Sequence, residues 1–265
     1  MKKSKKIIMM IAVLVLIALI AGVGYGIYQK ITYKVQNPIV TMEVEGFGTM
    51  KIELYPDMAP NTVKNFITLS NRGFYNGLTF HRIIADFMIQ GGDKEGTGSG
   101  SPTLADLKEG GADEDYAIEG EFSLNGFTQN TLRHEKGVIS MARSDYSQMG
   151  LYEEGYNSAG SQFFIMTEDN SNLNGQYAAF GKVIEGLDVL DKIKAVEVKT
   201  SSDDENSEDS SSSSEASTPV NPPVIKSVTV DTFGVDYGEP KTIKPFNYSN
   251  WLYQTYGIDP NSLGQ

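Results

Sequence analysis

The chain has 265 residues, 40% of them hydrophobic, a formal net charge of −12 and no cysteine. That length holds one large domain or two small ones, and the missing thiols exclude disulfides, zinc–thiolate centres and cysteine nucleophiles. Lys2, Lys3, Lys5, Lys6 and Lys30 put +5 in the first thirty residues and leave −17 on the rest, a body that repels phosphate backbones and argues against nucleic acid as a partner.

Residues 1–6 form a basic flank ahead of residues 7–27, an uncharged and mostly apolar run of 21 residues. At 1.5 Å per residue the run covers roughly 30 Å, the thickness of a bilayer's hydrocarbon core. It reads as a single-pass anchor contacting the lipid bilayer, with the lysines cytoplasmic and the rest of the chain outside. A cleaved signal peptide, giving a secreted product, is the alternative, and a buried core helix a third reading. Ala21-Gly22-Val23-Gly24 fits a cleavage site only loosely, and lipoprotein processing would need a cysteine.

Residues 28–37 read as a spacer. Residues 38–45 and 49–54 alternate apolar and polar around Gly46-Phe47-Gly48, the pattern of a β-hairpin. Asn61 or Thr62 is placed to cap a helix with the stripe Val63, Phe66, Ile67 and Ser70, ending near Gly73. From Leu78 strands return, with Phe80 and Arg82 on one face and Met88 and Gln90 on one face. Residues 96–136 read as long loops with a short strand near 116–122. Strands follow at 137–142, 161–166 and 178–183, then a short helix carrying Leu187, Val189, Leu190 and Ile193. Many short strands with two helices favour an all-β barrel or sandwich. Residues 200–218, rich in serine and acid, cannot bury apolar area and are expected to be disordered. Residues 224–231 form a strand with too little chain after it for another domain, so the serine run reads as an insertion within one domain, 38–234. The extension 235–265 carries Tyr237, Phe246, Tyr248, Trp251, Tyr253 and Tyr256. It either packs along the domain or binds a partner.

The most informative stretch is residues 80–93, FHRIIADFMIQGGD. It combines a permanent cation, bulky apolar residues and an amide, with neither a nucleophile beside a base nor a metal-ligand cluster. Together with Asn65-Phe66, Gly73-Phe74-Tyr75, Gly96-Thr97-Gly98, Ser140-Met141-Ala142, Gly160-Ser161-Gln162-Phe163-Phe164-Ile165 and Phe180-Gly181-Lys182-Val183, it resembles the cyclophilins, the cyclosporin-type peptidyl-prolyl cis-trans isomerases. The ordered motifs span about 120 residues. The resemblance implies a closed eight-stranded antiparallel barrel capped by two helices, here preceded by a transmembrane helix.

The chemistry suits these residues. Rotation about an X-Pro amide costs about 20 kcal/mol because resonance is lost, and it is slow without a catalyst. A thousand turnovers per second needs that barrier lowered by roughly 7 kcal/mol. No proton or covalent bond has to move, so no cofactor or metal is expected. A pocket for the ring and donors that prefer the twisted amide suffice, and arginine supplies donors charged at every relevant pH.

Taken singly, Arg82 would be a surface residue and Phe87 and Phe164 core; the ordered motifs change both readings. By resemblance Arg82 is catalytic, and Phe87, Met88, Phe164 and Leu173 line the proline pocket. Gln90 and the backbone at Ala142 and Arg143 align the substrate, Gln162 adds a wall, and His81 borders the site. Tyr177 takes a pocket-edge position that is histidine in many eukaryotic relatives. Asn172 stands where cyclosporin-sensitive relatives often carry tryptophan, which argues against cyclosporin binding. Arg143 and Ser144 also depart from the common residues, bearing on which flanking residues are preferred. His81 and His134 are too few and too separate for a metal site. The expected function is a monomeric, membrane-tethered isomerase acting on proline-containing segments of exported proteins. The alternative is a tethered peptide-binding chaperone or scaffold with little turnover.

Overall fold

The computed structural model describes residues 2–32, 36–199 and 217–257; the disorder expected for the serine-rich run falls outside these residues except at Ser217 and Thr218. Two units are present, residues 1–36 and 37–265. The first is helix α1, Lys2–Thr32. Between its terminal lysines it is apolar on every side rather than on one stripe. Its Lys5–Tyr25 stretch is long and apolar enough to cross a membrane, a property that signal sequences share.

The second unit runs β1 (Ile39–Val44), β2 (Gly48–Leu54), α2 (Pro60–Asn71), β3 (Phe80–Ile84), β4 (Met88–Gly91), α3 (Leu104–Leu107) and β5 (Val138–Met141). It continues with α4 (Tyr152–Tyr156), β6 (Phe163–Met166), β7 (Ala179–Glu185), α5 (Leu187–Lys194), β8 (Ile225–Asp231) and α6 (Tyr248–Tyr256). The strands form one antiparallel sheet in the order β3-β4-β6-β5-β7-β2-β1-β8. Period-2 patterning does its expected work in β1 and β2, whose Val40, Met42, Val44, Met50, Ile52 and Leu54 all point into the core. The apolar faces of α2 (Val63, Phe66, Leu69) and α5 (Val189, Leu190, Ile193) complete that core. Phe66 stacks on Tyr75 at 4.9 Å and meets Phe163 edge-on at 5.8 Å.

Strands β4 and β6 are buried on both faces, and this is what positions the site. Ile89, Phe163 and Ile165 belong to the main core. The alternate residues Met88, Phe164 and Met166 form a second, smaller cluster with Val138 and Ala179. Phe87, Ala142, Leu173 and Tyr177 pack against that outer cluster.

The closed barrel expected from the resemblance is not formed: the sheet curls, but β3 and β8 remain its two ends. They meet only where β3 begins, through the bridge Thr79–Val224 and the bonds Gly77 N–H to Ile225 O (2.7 Å), Ile225 N–H to Leu78 O (2.7 Å) and Phe80 N–H to Pro223 O (3.0 Å). Pro222 and Pro223 have no N–H to donate and stop a ladder at that point. Ile83 N–H donates instead to Ser217 O. Two further expectations change. The stretch near 116–122 makes isolated bridges, Ala117–Ile243 and Ile118–Ala159, rather than a strand. Helix α2 starts at Pro60 with Ala59 as its cap residue, so neither Asn61 nor Thr62 caps it. The carboxylate of Glu121 does so from a distance, accepting from Asn61 N–H (2.9 Å), Thr62 N–H (2.8 Å) and Thr62 Oγ1 (2.8 Å). A buried anion at a helix N-terminus replaces the local cap.

Candidate active site

Arg82 and Gln90 are directly paired across the β3–β4 ladder, so their side chains share the outer face of the sheet. Arg82 Nη1 lies 3.4 Å from Gln90 Oε1 and 3.8 Å from Met88 Sδ. Gln90 Nε2 donates to Gln162 Oε1 at 2.9 Å, and Gln162 Nε2 donates to the carbonyls of Gly98 (3.0 Å) and Gly100 (3.1 Å). The two carbonyls fix which way the Gln162 amide faces. That fixes Gln90, which in turn presents its oxygen to Arg82. The guanidinium is thereby held by a relay of oriented amides, the pre-organisation that an electrostatic catalyst needs.

A cavity of about 140 Å³ opens beside it, lined by Arg82, Phe87, Met88, Gln90, Ala142, Arg143, Phe164, Leu173 and Tyr177. Drug-sized ligands occupy roughly 300–1,000 Å³; this one suits a single small ring. Its floor is rigid. Phe164 meets Tyr177 edge-on at 5.5 Å and lies parallel to His134 at 6.0 Å. A larger cavity of about 380 Å³ shares Gln90, Ala142 and Arg143 with the first and adds Gln162, Tyr116, Tyr146 and Pro245. The Gly-Gly turn after β4 lets these walls approach. Gly92 has φ +84°, and a Cβ there would sit 2.6 Å from Ser161 O, while Ser161 Oγ donates to Gly92 O at 2.7 Å.

His81 lines neither cavity. It sits at the register shift between Phe80 and Arg82, which sends Phe80 into the main core and Arg82 to the outer face instead of the shared face expected. It is 8% exposed, and neither ring nitrogen has a hydrogen-bond partner. Burial lowers its pKa; the Arg82 charge acts in the same direction, and Asp93 opposes them. Asp93 itself is held below the usual carboxylate value. Burial pushes it up, but backbone N–H groups of Glu95, Gly98 and Gly100, and the neighbouring His81, outweigh that. It organises the glycine loop that Gln162 grips. Ala142 N–H is already used by Gln162 O at 2.9 Å. Asn172 is exposed and does not line the smaller cavity.

Two environments were not legible in sequence, that of the expected site residue Arg143 and that of His134. Arg143 is wrapped by aromatic rings, its guanidinium carbon 4.5 Å from the centroid of Tyr177, 5.0 Å from Tyr156 and 5.7 Å from Phe122. Its Nε and Nη1 donate to the carbonyls of Gln176 and Ser144. The three rings come from separate segments, one of them α4, so no local pattern announces them. His134 lies behind Phe164, with Nε2 2.9 Å from Ser140 Oγ and Nδ1 3.3 Å from Asn174 Oδ1. Because Asn174 Oδ1 also accepts His134 N–H at 2.8 Å, it is the oxygen that faces the ring, and Nδ1 carries the proton. Burial lowers the His134 pKa to about 4. Among the described residues no cluster of three or more His, Cys, Asp or Glu side chains suits a metal.

A cationic donor held beside a small apolar ring pocket is the arrangement that the motifs implied, and comparison with known proteins decides the family. Residues 39–230 match the family model of cyclophilin type peptidyl-prolyl cis-trans isomerases. The chain belongs to this family. Peptidyl-prolyl cis-trans isomerase B of Bacillus subtilis is 41% identical over 145 residues, 55% of this chain and 82% of that protein. An isomerase of Helicobacter pylori is 39% identical over 153 residues, 57% of this chain and 77% of its own. Among solved structures, a Cryptosporidium parvum cyclophilin studied with the dipeptide Ala-Pro superposes with a TM-score of 0.55 at 27% identity, covering 73% of this chain and 98% of its own. This cyclophilin-type chain is therefore a peptidyl-prolyl cis-trans isomerase. The family match ends at residue 230, so everything after β8 lies outside the matched region.

Proposed function

We propose that this cyclophilin is membrane-tethered and extracytoplasmic, and that it isomerises X-Pro bonds in exported polypeptides with Arg82 as its catalytic residue. The observation that carries the reading is the Arg82 guanidinium held against Gln90 Oε1 at the edge of a ring-sized apolar cavity. The proline ring seats among Phe87, Met88, Phe164 and Leu173, which anchors one side of the amide. Twisting the C–N bond breaks resonance and localises the lone pair on nitrogen, creating an acceptor that the planar ground state lacks. Arg82 donates toward that site. An interaction made only in the twisted state lowers the barrier rather than merely tightening binding. Gln90, held by Gln162, keeps the guanidinium aimed, and the peptide backbone runs past Ala142 and Arg143 into the larger cavity. Nothing in this cycle transfers a proton, so turnover is insensitive to neutral pH. The tether and the direction of insertion rest on the length of the apolar stretch in α1 and on the lysines before it.

The test is exchange spectroscopy on a short Ala-Pro peptide. The wild-type chain should accelerate cis-trans exchange, and Arg82→Ala should lose about 10²–10³ in kcat/KM, the scale for removing one pre-organised donor, with little change in peptide binding. Equal rates for the two proteins, or binding without turnover in wild type, would sink this reading in favour of a tethered peptide-binding chaperone.

A further inference from the structure

The segment after β8 does not leave the domain. Lys241 N–H donates to Asn61 Oδ1 at 2.7 Å while Asn61 Nδ2 donates back to Lys241 O at 2.9 Å, pinning the segment to the first turn of α2. Two residues on, Ile243 and Ala117 exchange both backbone hydrogen bonds, at 2.8 and 2.9 Å. Pro245 then becomes a wall of the 380 Å³ cavity that adjoins the ring pocket. Beyond it the chain lays an aromatic cluster against Tyr146, another residue of that cavity. Phe246 meets Tyr146 at 5.4 Å, Tyr248 stacks on Tyr146 at 5.9 Å, and Trp251 stacks on Tyr248 at 5.7 Å. Tyr248 is 36% exposed. Helix α6 carries Tyr248 and Trp251, Phe246 lies just ahead of it, and Asn247 Oδ1 accepts Asn250 N–H at 2.8 Å at its start.

We infer that residues 241–251 form an added substrate subsite: Pro245 and Tyr146 continue the peptide groove outward, and Phe246, Tyr248 and Trp251 hold an aromatic side chain of the client some residues away from the target proline. The occupant follows from continuity. The larger cavity shares Gln90, Ala142 and Arg143 with the ring pocket, so a polypeptide seated there runs over Tyr146 onto the aromatic surface. Phe246, Tyr248 and Trp251 offer ring faces and edges to a client's aromatic side chain, while the nearest cations in sequence, Lys241 and Lys244, precede the cluster. Pro245, Phe246, Tyr248 and Trp251 all lie beyond residue 230, where the family match stops, while Tyr146 lies within it. The inference rests on the ring pocket being where the target proline binds.

The experiment uses the full chain in detergent micelles and compares a short Ala-Pro peptide with longer ones. The longer peptides are identical except for one phenylalanine moved through successive positions on either side of the proline, against an all-alanine control. One position should raise kcat/KM about three- to tenfold over the control, the factor a single aromatic contact supplies, through KM rather than kcat. In Phe246→Ala/Tyr248→Ala that gain should vanish. Trp251 is the only tryptophan, so its emission should change saturably with the favoured peptide and not with the control, in wild type and in Arg82→Ala alike. A gain at no position, a gain that survives the double substitution, or an unresponsive Trp251 overturns the subsite. Loss of turnover on every peptide in the double variant, with no Trp251 response in wild type, makes the segment a brace and also overturns it. Failure of the ring-pocket reading shows separately, as undiminished turnover of the short peptide by Arg82→Ala.

Discussion

His134 shows how a residue outside the chemistry bears on the fold's stability towards acid. Its ring lies parallel to Phe164 on the pocket floor and is fixed between Ser140 and Asn174. Burial lowers its pKa from 6.5 to about 4. The folded chain therefore keeps His134 neutral where the unfolded chain protonates it. Above pH 6.5 neither state binds the proton and stability is unaffected. Between pH 6.5 and about 4 the unfolded state binds more protons, so stability falls with falling pH, by up to about 1.4 kcal/mol per pH unit. Denaturation with urea at a series of pH values should show this slope in the wild-type protein and a shallower one in His134→Gln. Indistinguishable slopes would mean that the buried imidazole is not the source of acid lability. Nothing in the sequence around His134 signals its burial, because Ser140, Asn174 and Phe164 reach it from other segments. Arg82 was different. Its strand was legible, but parity put it on one face with Phe80, and the register shift between them separates the two; its role came from the family motifs and not from spacing.

At the level of elements, the strands were legible because alternation is a local property. β1, β2, β5, β7 and β8 all lie within a residue or two of where the pattern put them. What local pattern could not give was the partner of each element. The cap of α2 is the clearest case: Asn61 is engaged by Lys241, Thr62 is buried, and the anion comes from Glu121, about sixty residues away. The strand expected near 116–122 is absent for the same reason, since Glu121 turns inward to reach α2. The curled sheet fails to close where Pro222 and Pro223 remove donors, whereas the closed barrel was expected from the family resemblance alone. Replacing Glu121 with alanine strands two helix N–H groups and the buried Thr62 hydroxyl. Loss of a cap costs about 1–2 kcal/mol and a buried unsatisfied group about 1–3 kcal/mol, so Glu121→Ala should destabilise the domain by at least about 2 kcal/mol. Glu121→Gln, which keeps one acceptor, should cost less. Equilibrium unfolding of the three proteins checks the order, and a Glu121→Ala chain as stable as wild type would show that the cap is dispensable.

At the scale of the whole molecule, charge and hydropathy divide the chain into parts with opposite preferences. The first thirty residues carry +5 and surround the apolar stretch of α1, while the remainder carries −17. Lysines flanking a span resist translocation, and an acidic body meets no such barrier, so the physics favours one direction of insertion. The tail supports an outside test, because Ser249 is exposed at the start of α6. The natural chain has no cysteine, so a single introduced thiol reports without background. In intact cells a membrane-impermeant maleimide should label Ser249→Cys and spare Ser4→Cys until the membrane is permeabilised. The reverse pattern would mean inverted insertion. Cleavage of the N-terminal segment would show as a mature chain beginning beyond the apolar run, with the Ser4→Cys label absent even after permeabilisation. An anchored product puts the ring pocket within reach of chains emerging across the same membrane, where slow X-Pro isomers persist for tens of seconds unless catalysed. A released product loses that proximity, and its encounter with each client becomes limited by diffusion.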